Sequence, residues 1–472
     1  MKEAIGTEKN RTWLVWLSII AVLVIGVGIF FYYNFLRQGQ SELIEAVPTD
    51  ALFLFEINDN ETWVKETPTI EPYLNEMFGT DAMDAYETVN RKLPKGKYDI
   101  VMSGHPGEQG LHLLFNTRID KATFKRLLRS LSIDPANYQT FEQYKIYTYG
   151  TNLKSLKFVY FNHILTLSDD IELVQKAVIQ HTHPKNMLSD TVFKKMYALT
   201  EKNQKQNWLL INTPAYFDFL GTFFNNAFQK EMYHLRSESY WSAFQIKISQ
   251  NELFLSGYCA VTPDKLAAFQ KLTPKSSLPE NLLPAGTCQY YKAEHSGYTT
   301  CSFDMLADSV HQYHFFGVIQ DTLHPKFRPL GNEEQAEIFR AANPSGIYST
   351  TDSAVHIDIP DFKTERYACF CEYNGYYLFA PSAEALAAYT QNIERSGNIK
   401  KNRFYSFSDS NMASSSLTEF TFFNQSNGQL NQILSEKGKQ SRTAKEMRIC
   451  SFTCTNVAEN FTTINLYFNF VQ

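Results

Sequence analysis

The sequence predicts an α+β protein in which an N-terminal transmembrane helix precedes two tandem related domains with antiparallel sheets and packed helices. Three observations support this prediction. An uncharged, apolar run extends from Thr12 to Leu36. A strand–turn–strand–helix block occurs twice, once around Asn162 and once around Asn374. Hairpin patterns dominate both halves of the chain, whereas the strict alternation of strands and helices that is typical of parallel sheets does not occur.

The apolar run is long enough, as a helix, to cross the roughly 30 Å hydrocarbon core of a bilayer. Trp13 and Trp16 lie near one end and Tyr32 and Tyr33 near the other, where aromatic rings prefer the membrane interface. Lys and Arg are in excess before the run, so the positive-inside rule places residues 1–11 in the cytoplasm. The run is longer than the apolar region of a cleaved signal peptide and lacks a small-x-small cleavage site. We therefore expect an uncleaved, single-pass anchor in the inner membrane, with the remaining chain in the periplasm.

These features predict a division of the chain into six segments. They are a cytoplasmic tail (residues 1–11), a transmembrane helix (12–36), a connector (37–46), a first α+β repeat domain (47–262), a linker (263–281) and a second α+β repeat domain (282–472). The linker is rich in proline and holds a short helix over Asp264–Leu272.

Local patterns predict the elements that follow the connector. The short apolar run Ala51–Ile57 indicates a buried strand. The sequence Thr80–Lys92 indicates a helix that ends before Pro94 and Gly96. Strands are predicted over Tyr98–Ser103 and Leu111–Asn116, with a turn at His105-Pro106-Gly107. Asp120 is expected to cap a helix that extends to Leu131, because apolar residues recur there at i, i+3, i+4 and i+7.

The two repeated blocks indicate a tandem duplication. In the first, Asn162-His163 forms the turn between two short strands, and Ser168 opens a helix that ends near Gln180. In the second, Asn374-Gly375 forms the turn, which is the strongest short hairpin signal. Val47-Pro48 before the first strand resembles Leu283-Pro284 in the second half. The terminal hairpins of the two halves, Phe244–Val261 and Ile449–Val471, are also similar, so the same blocks recur in the same order.

Composition narrows the range of functions. The chain has 472 residues, of which 44% are hydrophobic and 20% charged, as expected for a folded globular protein. Aromatic residues make up 15%, which favours strands and sheet faces over a dedicated ligand surface. The net charge is −5 and no basic block occurs, so nucleic acid is not an expected partner.

All seven cysteines lie in the second half of the chain. Cys369 and Cys371 would share one face of a strand, as would Cys450 and Cys454. A bridge between these two pairs and a role as small buried hydrophobic residues are both compatible with the sequence. The remaining cysteines are Cys259, Cys288 and Cys301, and the odd total cannot be fully paired within the chain. The spacing does not fit a zinc site.

The search for chemistry finds no catalytic, cofactor-binding or metal-binding residues. Phosphate-loop, nucleophile-elbow and zinc-protease motifs do not occur. His181 and His183 end a helix, where histidine complements the helix dipole. His311 and His314 are expected on one helix face, with Asp308 one turn and Asp304 two turns earlier, so a carboxylate–histidine cluster competes with an ordinary solvated face.

Three further segments carry side chains that a site could use. Glu56 and Asp59 follow the first strand, but they lack a second matched carboxylate. Ser414-Ser415-Ser416 indicates a polar loop rather than a nucleophile. An aromatic stripe is expected at Phe219, Phe223 and Phe224 on one helix, where a core role is favoured over a partner surface.

The chain begins with a short basic tail and one apolar helix, and the entry sequence Val47–Asp59 then leads into an aromatic-rich duplicated region. This order of features resembles a domain-of-unknown-function family of membrane-anchored envelope proteins of the Bacteroidota. The resemblance implies an envelope location and supplies no catalytic residues. The second entry, LPAGTCQYYKAE, departs from the pattern.

The leading functional hypothesis is a non-enzymatic envelope protein, a periplasmic binding or scaffolding module tethered to the inner membrane through Thr12–Leu36. Its expected partner is an envelope protein or a glycan, and no cofactor is expected. Two alternatives stay open at this point. One is an envelope hydrolase whose site is assembled from distant segments, and the other is an assembly factor that adds a client strand to an exposed sheet edge.

Overall fold

In the computed structural model the described residues fold mainly as antiparallel β-sheet, and strands account for 47% of these residues. The structure describes residues 43–58, 91–93, 98–107, 110–151, 154–183, 185–200, 206–222, 225–226, 239–249, 251–273, 280–295, 298–306, 312–320, 347–349, 367–411, 415–424, 434–457 and 461–470.

The described chain divides into two compact units. The first contains residues 43–51 and 56–58 and continues to residue 194, and the second contains residues 52–55 and the chain from residue 195 onward. Strand β1 (Phe53–Ile57) supplies residues to both units. The division groups internal contacts and differs from the predicted repeat boundaries at residues 262 and 282, which stay a prediction.

The first unit is a sheet with a helix on each of two connections. Its strands are β2 (Ile100–Gly107), β3 (Gly110–Arg118), β4 (Gln139–Phe141), β5 (Tyr144–Thr151), β6 (Lys154–Phe161) and β7 (Ile164–Ser168). Its helices are α1 (Lys121–Ser130) and α2 (Ile171–Thr182), followed by a 3₁₀ turn (Met187–Ser189), and α3 (Thr191–Thr200) leads out of the unit. Antiparallel pairing places the strands in the order β2-β3-β7-β6-β5-β4.

The second unit contains the remaining strands. They are β8 (Trp208–Asn212), β9 (Ser239–Ser249), β10 (Glu252–Val261), β11 (Thr287–His295), β12 (Tyr298–Leu306), β13 (Gln312–Gln320), β14 (Ile347–Ser349), β15 (Cys369–Tyr373), β16 (Tyr376–Ala380), β17 (Thr418–Phe423), β18 (Met447–Val457) and β19 (Thr462–Phe470). Their pairing order is β8-β9-β10-β19-β18-β17-β11-β12-β13-β16-β15-β14.

Short helices connect the strands of the second unit. They are α4 (Thr213–Gly221), α5 (Pro263–Gln270), α6 (Ala383–Ser396), α7 (Tyr405–Asn411), α8 (Glu436–Gln440) and α9 (Arg442–Glu446), with a 3₁₀ turn at Ile399–Lys401. Helix α6 is the longest of this set, and Ser382 caps it by accepting a hydrogen bond from the Ala385 amide.

The same pairing order recurs along the chain. In the first unit β2-β3-β7-β6-β5 are neighbours, and in the second unit β12-β13-β16-β15-β14 follow the same sequence of hairpins and crossovers. The meander β8-β9-β10 likewise has the form of β17-β18-β19. These matches support the inferred duplication through topology, a property independent of sequence similarity.

Both predicted turns are confirmed. Asn162 and His163 have φ values of 44° and 66°, and Asn374 and Gly375 have values of 49° and 81°. Positive φ at both central residues is the requirement of a type I′ hairpin, which explains the choice of asparagine and glycine. A helix begins after the second strand in each case, capped by Asp170 before α2 and by Ser382 before α6.

The predicted helix after Asp120 is also confirmed. The Asp120 carboxylate accepts a hydrogen bond from the Thr123 amide at 2.6 Å, as an N-cap should. The Phe124 ring of α1 stacks on Tyr160 with 4.9 Å between centroids and lies edge-on to Tyr147 of β5. Helix α2 buries Leu173 and Ala177 against Leu114 of β3.

The predicted fold class is wrong. Antiparallel strands dominate, whereas the sequence predicted an α+β balance with packed helices. One physical reason lies in residues 304–314, where a helical spacing of His and Asp was inferred but two long paired strands form. Over the part of the chain that the structure describes, no helix is long and apolar enough to cross a membrane. The predicted membrane helix Thr12–Leu36 lies outside the described residues. Of the predicted helix Thr80–Lys92, the structure describes only residues 91–92.

The core of the second unit is aromatic. Phe303 of β12 stacks on Phe315 of β13 at 5.1 Å, and Tyr389 of α6 packs against both rings. The Tyr389 hydroxyl donates a hydrogen bond to the Leu282 carbonyl at 2.9 Å. Burying each phenylalanine ring stabilises the fold by about 1.5–3 kcal/mol relative to exposure.

The seven cysteines are free thiols, and all but Cys450 are buried. The bridge between the pairs Cys369/Cys371 and Cys450/Cys454 is therefore not formed. Burial raises the pKa of Cys259 to about 11 and that of Cys454 to about 12, so both thiols stay protonated at neutral pH. The cysteines act as small hydrophobic residues of the core.

This arrangement predicts that the folded protein does not depend on its redox environment. We expect dithiothreitol to leave the melting temperature unchanged, because no bond is available for reduction. Alkylation with iodoacetamide should reach the buried thiols only after denaturation. A fall of several degrees on reduction, or a mass that shows fewer than seven alkylated thiols after non-reducing denaturation, would contradict this prediction.

Candidate functional site

The first unit contains a serine, a histidine and an aspartate linked in series. The Ser103 hydroxyl lies 2.8 Å from His105 Nε2, and His105 Nδ1 lies 2.7 Å from an Asp50 carboxylate oxygen. A carboxylate only accepts hydrogen bonds, so Nδ1 donates to Asp50, and in the tautomer that carries its proton on Nδ1 the Nε2 atom accepts from the Ser103 hydroxyl. This is the connectivity of a Ser-His-Asp triad.

Strand β2 positions two of the three side chains. Ser103 and His105 are two residues apart, so they project from the same face of the strand. Asp50 lies in the turn before β1 and reaches the outer end of the ring. The sequence prediction placed His105 in a turn after Ser103, whereas β2 continues to Gly107.

Asp50 and Lys176 form an ion pair at the solvent-exposed end of this network. The hydrogen bond from His105 lowers the pKa of the Asp50 carboxyl, and burial acts in the opposite direction. The Lys176 ammonium of α2 lies 3.4 Å from the second Asp50 oxygen and also lowers that pKa. Asp50 is therefore the ionised member that holds the histidine ring in place.

A second histidine–aspartate pair lies beside the first. His112 of β3 is the cross-strand neighbour of His105. Its Nδ1 lies 3.2 Å from an Asp169 oxygen, and the Ser168 hydroxyl donates to the same oxygen at 3.3 Å. Unlike His105, the His112 and Asp169 side chains are partly exposed.

Accessibility decides what the Ser103 network can do. Ser103 is 0% exposed and His105 is 2% exposed. A nucleophile must reach the carbonyl or phosphoryl atom that it attacks, and a general base must exchange its proton with the reacting groups. Ser103 and His105 are closed to solvent and Asp50 is exposed, so the three residues act as a hydrogen-bonded polar cluster that connects β2 to the turn at Asp50.

The second unit contains a carboxylate–histidine contact, the less favoured of the two alternatives for this segment, and forms it with a different geometry. Asp304 on β12 lies directly opposite His314 on β13, and His314 Nδ1 donates to the Asp304 carboxylate. The Gln289 and Gln312 amides donate to the other Asp304 oxygen at 2.5 and 2.8 Å. The predicted helix is wrong here, and the cluster arises from cross-strand register. His311 and Asp308 lie outside the described residues.

The Asp304 cluster does not form a metal site. Its carboxylate already accepts three hydrogen bonds, and the ring of His314 stacks on Tyr367 at 5.9 Å. Across the described ranges, no three His, Cys, Asp or Glu side chains are arranged to hold a metal ion. The cluster is best described as a polar patch on three adjacent strands.

A charged cluster is buried deeper in the second unit. Lys292 Nζ lies 3.0 Å from a Glu294 oxygen, and the two side chains are 1% and 2% exposed. Thr299 donates to the other Glu294 oxygen at 2.7 Å. Lys292 also lies opposite Glu419 in the pairing of β11 with β17.

Glu419 shows why this lysine is needed. Burial raises the pKa of the Glu419 carboxyl, while a hydrogen bond from Tyr290 at 2.5 Å and the charge of Lys292 lower it. Ser416, from the predicted serine loop, donates to the same carboxylate at 3.3 Å. Ser416 is thus a structural partner and not a nucleophile.

The structure assigns structural places to the other predicted candidates that it describes. His181 lies in the last turn of α2 with its ring 5.4 Å from Phe161, and His183 ends that helix by donating its amide to Gln180. Glu56 is buried in β1 and does not alternate outward. Asp59, Ser414 and the side chains of Phe219, Phe223 and Phe224 lie outside the described part.

No family model matches the sequence, and no curated protein matches it. Among solved structures, crystal form I of TP0453 is similar with a TM-score of 0.28 and 10% identity, covering 47% of this chain and 79% of that chain. Form IV gives the same score and identity over 48% and 84%, and form III gives 0.26 and 9% over 73% and 96%. Scores of this size carry no argument about function, and the resemblance to an envelope family of the Bacteroidota stays a prediction.

Proposed function

We propose that this protein is a non-enzymatic binding or scaffolding module of the cell envelope. The observation that carries the proposal is the closed state of the Ser103–His105–Asp50 network. Its hydroxyl and its Nε2 atom are both used within the core, and neither faces solvent. The envelope location is part of the proposal and rests on the sequence alone.

The second unit supports the same interpretation. Strand pairing equates Ser103 with Phe303 and His105 with Met305, because each pair occupies the same register relative to the equivalent hairpins. Phe303 and Met305 are core residues. The same architecture therefore accepts apolar side chains at these positions. In the first unit, the side chains of the polar network fill the equivalent core positions.

An envelope hydrolase is the second candidate. The order of contacts from hydroxyl to Nε2 and from Nδ1 to carboxylate favours it, because this order would activate a serine nucleophile. It requires an opening of the first unit that exposes Ser103.

A serine-directed probe separates the two candidates. We expect a fluorophosphonate probe to leave Ser103 unmodified in the folded protein, as read by peptide mass spectrometry, because its hydroxyl is buried. A purified serine hydrolase serves as the positive control. A Ser103 adduct that disappears in the His105→Ala variant would overturn the binding-module proposal in favour of the hydrolase.

Partner capture tests the binding function itself. Photocrosslinking in cells, with the crosslinker at exposed positions of each unit, should yield a specific protein or glycan adduct by mass spectrometry. Adducts that do not differ between positions, together with turnover of an envelope substrate by the purified protein, would contradict the proposal.

A further inference from the structure

Among the described residues, no strand covers the outer edge of β5 in the first unit beyond Ile146. On one side β6 pairs with it from Ile146 to Thr151. On the other side β4 pairs only with Tyr144, Lys145 and Ile146. Within the described ranges, no strand pairs with the outer side of residues 147–151.

The hairpin geometry fixes which backbone groups are available at this edge. A two-residue turn at Glu142 and Gln143 joins β4 to β5, so Tyr144 and Ile146 exchange hydrogen bonds with β4. Backbone groups alternate along a strand, so those of Thr148 and Gly150 point toward the same side. There they meet no described strand, and their donors and acceptors lie on the outer side. Gly150 has a φ of 102°, so the backbone departs from a regular strand at that residue.

Strand β5 is held in place by packing against β6 and α1. Ile146 and Tyr147 are buried, and the Tyr147 ring stacks on Phe158 of β6 at 5.8 Å. Phe124 of α1 contacts the same Tyr147 ring. A strand fixed in this way loses little conformational entropy when another segment pairs with it.

The side chains at the edge are polar and cationic. Thr148 is exposed and accepts a hydrogen bond from Lys157 Nζ at 3.3 Å. Lys145 is also exposed and lies 3.9 Å above the Tyr138 ring. Lysines beside an open edge discourage pairing with a second copy of the same cationic edge and favour a segment that carries carboxylates.

We infer that the outer edge of β5 accepts an extended acidic peptide segment of a partner protein as an added strand. The inference rests on the proposed binding function and names its surface and the chemistry of its partner. Thr148 and Gly150 supply the backbone hydrogen bonds, and the partner's carboxylates pair with Lys157, which lies on the same face of the sheet as Thr148. Affinity comes from the ladder, and selectivity comes from the charge.

A single substitution can block pairing at the outer edge of β5 without destabilising the fold. Thr148→Pro removes an amide that points away from β6, so the inner ladder stays intact. Thr148→Ala keeps that amide and is the matched control. Tyr149→Pro removes an amide that bonds β6 and is the destabilising control. Circular dichroism melting curves should place Thr148→Pro close to the wild type and Tyr149→Pro well below it.

Binding is measured with a short fluorescein-labelled peptide of alternating valine and glutamate, and a peptide with central prolines is the negative probe. We expect saturable anisotropy with the wild type and with Thr148→Ala, and a loss of at least about tenfold in affinity with Thr148→Pro, which corresponds to about 1.4 kcal/mol. Absence of saturable binding by the wild type, or equal binding by Thr148→Pro, would overturn the inference.

Hydrogen exchange supplies a readout that needs no variant. The amides of Thr148 and Gly150 should exchange rapidly in the free protein and become protected when the peptide is added. If they show no added protection at saturating peptide, the segment binds elsewhere and the inference is wrong. A specific in-cell crosslink that avoids Thr148 would also overturn the edge inference while leaving the proposed binding function intact.

Discussion

Replacing Lys292 by methionine should destabilise the protein by about 3–5 kcal/mol at neutral pH, the usual cost of removing one partner from a buried ion pair. Lys292 is the cation 3.0 Å from Glu294, and it lies opposite Glu419 in the sheet. Its removal leaves two buried carboxyls without the positive charge that offsets their desolvation. Urea unfolding monitored by tryptophan fluorescence measures the change.

The stability difference between Lys292→Met and the wild type should depend on pH in a defined direction. Burial already raises the pKa of Glu419, and Lys292 opposes that rise. Without the lysine the pKa of Glu419 rises further, so the variant carries the full cost of a buried carboxylate above that pKa. The cost is relieved as the pH falls through the folded-state pKa toward the ordinary value of 4.5. The stability difference between variant and wild type should therefore narrow on acidification.

Two further variants control the experiment. Lys439→Met removes a partly exposed lysine that pairs with Glu436 within one helical turn, and it should cost less than about 0.5 kcal/mol. Adding Glu294→Gln to Lys292→Met should recover part of the lost stability, because it removes one of the uncompensated charges. A loss below about 1 kcal/mol for Lys292→Met would mean that water reaches the cluster and would contradict its buried character.

Replacing His105 by alanine should destabilise the protein by about 2–4 kcal/mol, because it leaves a cavity and removes the partner of a buried hydroxyl. Ser103 loses the acceptor of its hydroxyl, and Asp50 loses its strongest hydrogen-bond donor. His112→Ala is the matched control, since that ring is partly exposed, and it should cost less than about 1 kcal/mol.

Asp50 sets the pH window of this effect. Its pKa is lowered in the folded protein, so its contribution to stability is complete above the ordinary value of 3.8 and is lost as the pH falls through the folded-state pKa. The variant lacks most of this contribution because His105 is the largest cause of the shift. The difference between wild type and His105→Ala should thus shrink below about pH 4. A difference that does not change with pH would show that the cost comes from packing alone.

His105→Met asks a separate question about the two repeats. Methionine occupies the equivalent register in the second unit, where Met305 is fully buried. If the network serves packing alone, combining Ser103→Ala with His105→Met should recover stability relative to His105→Met, because the unpartnered hydroxyl is removed. Comparing the stabilities of the two variants shows how much of the lost stability comes from the lost hydrogen bonds and how much from the change in side-chain shape.

Local features of the fold could be predicted from the sequence. The turns at Asn162 and Asn374, the cap at Asp120 and the apolar stripe of α1 depend on residues a few positions apart. Turn conformation and helix capping are short-range properties. They therefore appear in the structure at the residues where the patterns place them.

The two polar clusters show where such reasoning fails. His314 and Asp304 were expected to meet across helical turns, yet they meet as opposite residues of neighbouring strands. Local spacing does not reveal that these two residues belong to neighbouring antiparallel strands, and only the pairing of β12 with β13 places them opposite each other. The contact between His105 and Asp50 joins residues 55 positions apart, and no spacing rule connects them.

The hairpins, the caps and the recurrence of the same blocks follow from the φ preferences and side-chain chemistry of adjacent residues, so local patterns were enough to predict them. Long-range pairing sets the dominance of antiparallel strands, the seven free thiols, the Ser103–His105–Asp50 series, and a β5 edge that no described strand covers beyond Ile146. Each of these depends on which distant segments pair and which surfaces they cover, and that is settled by the burial of the whole chain rather than by any local pattern.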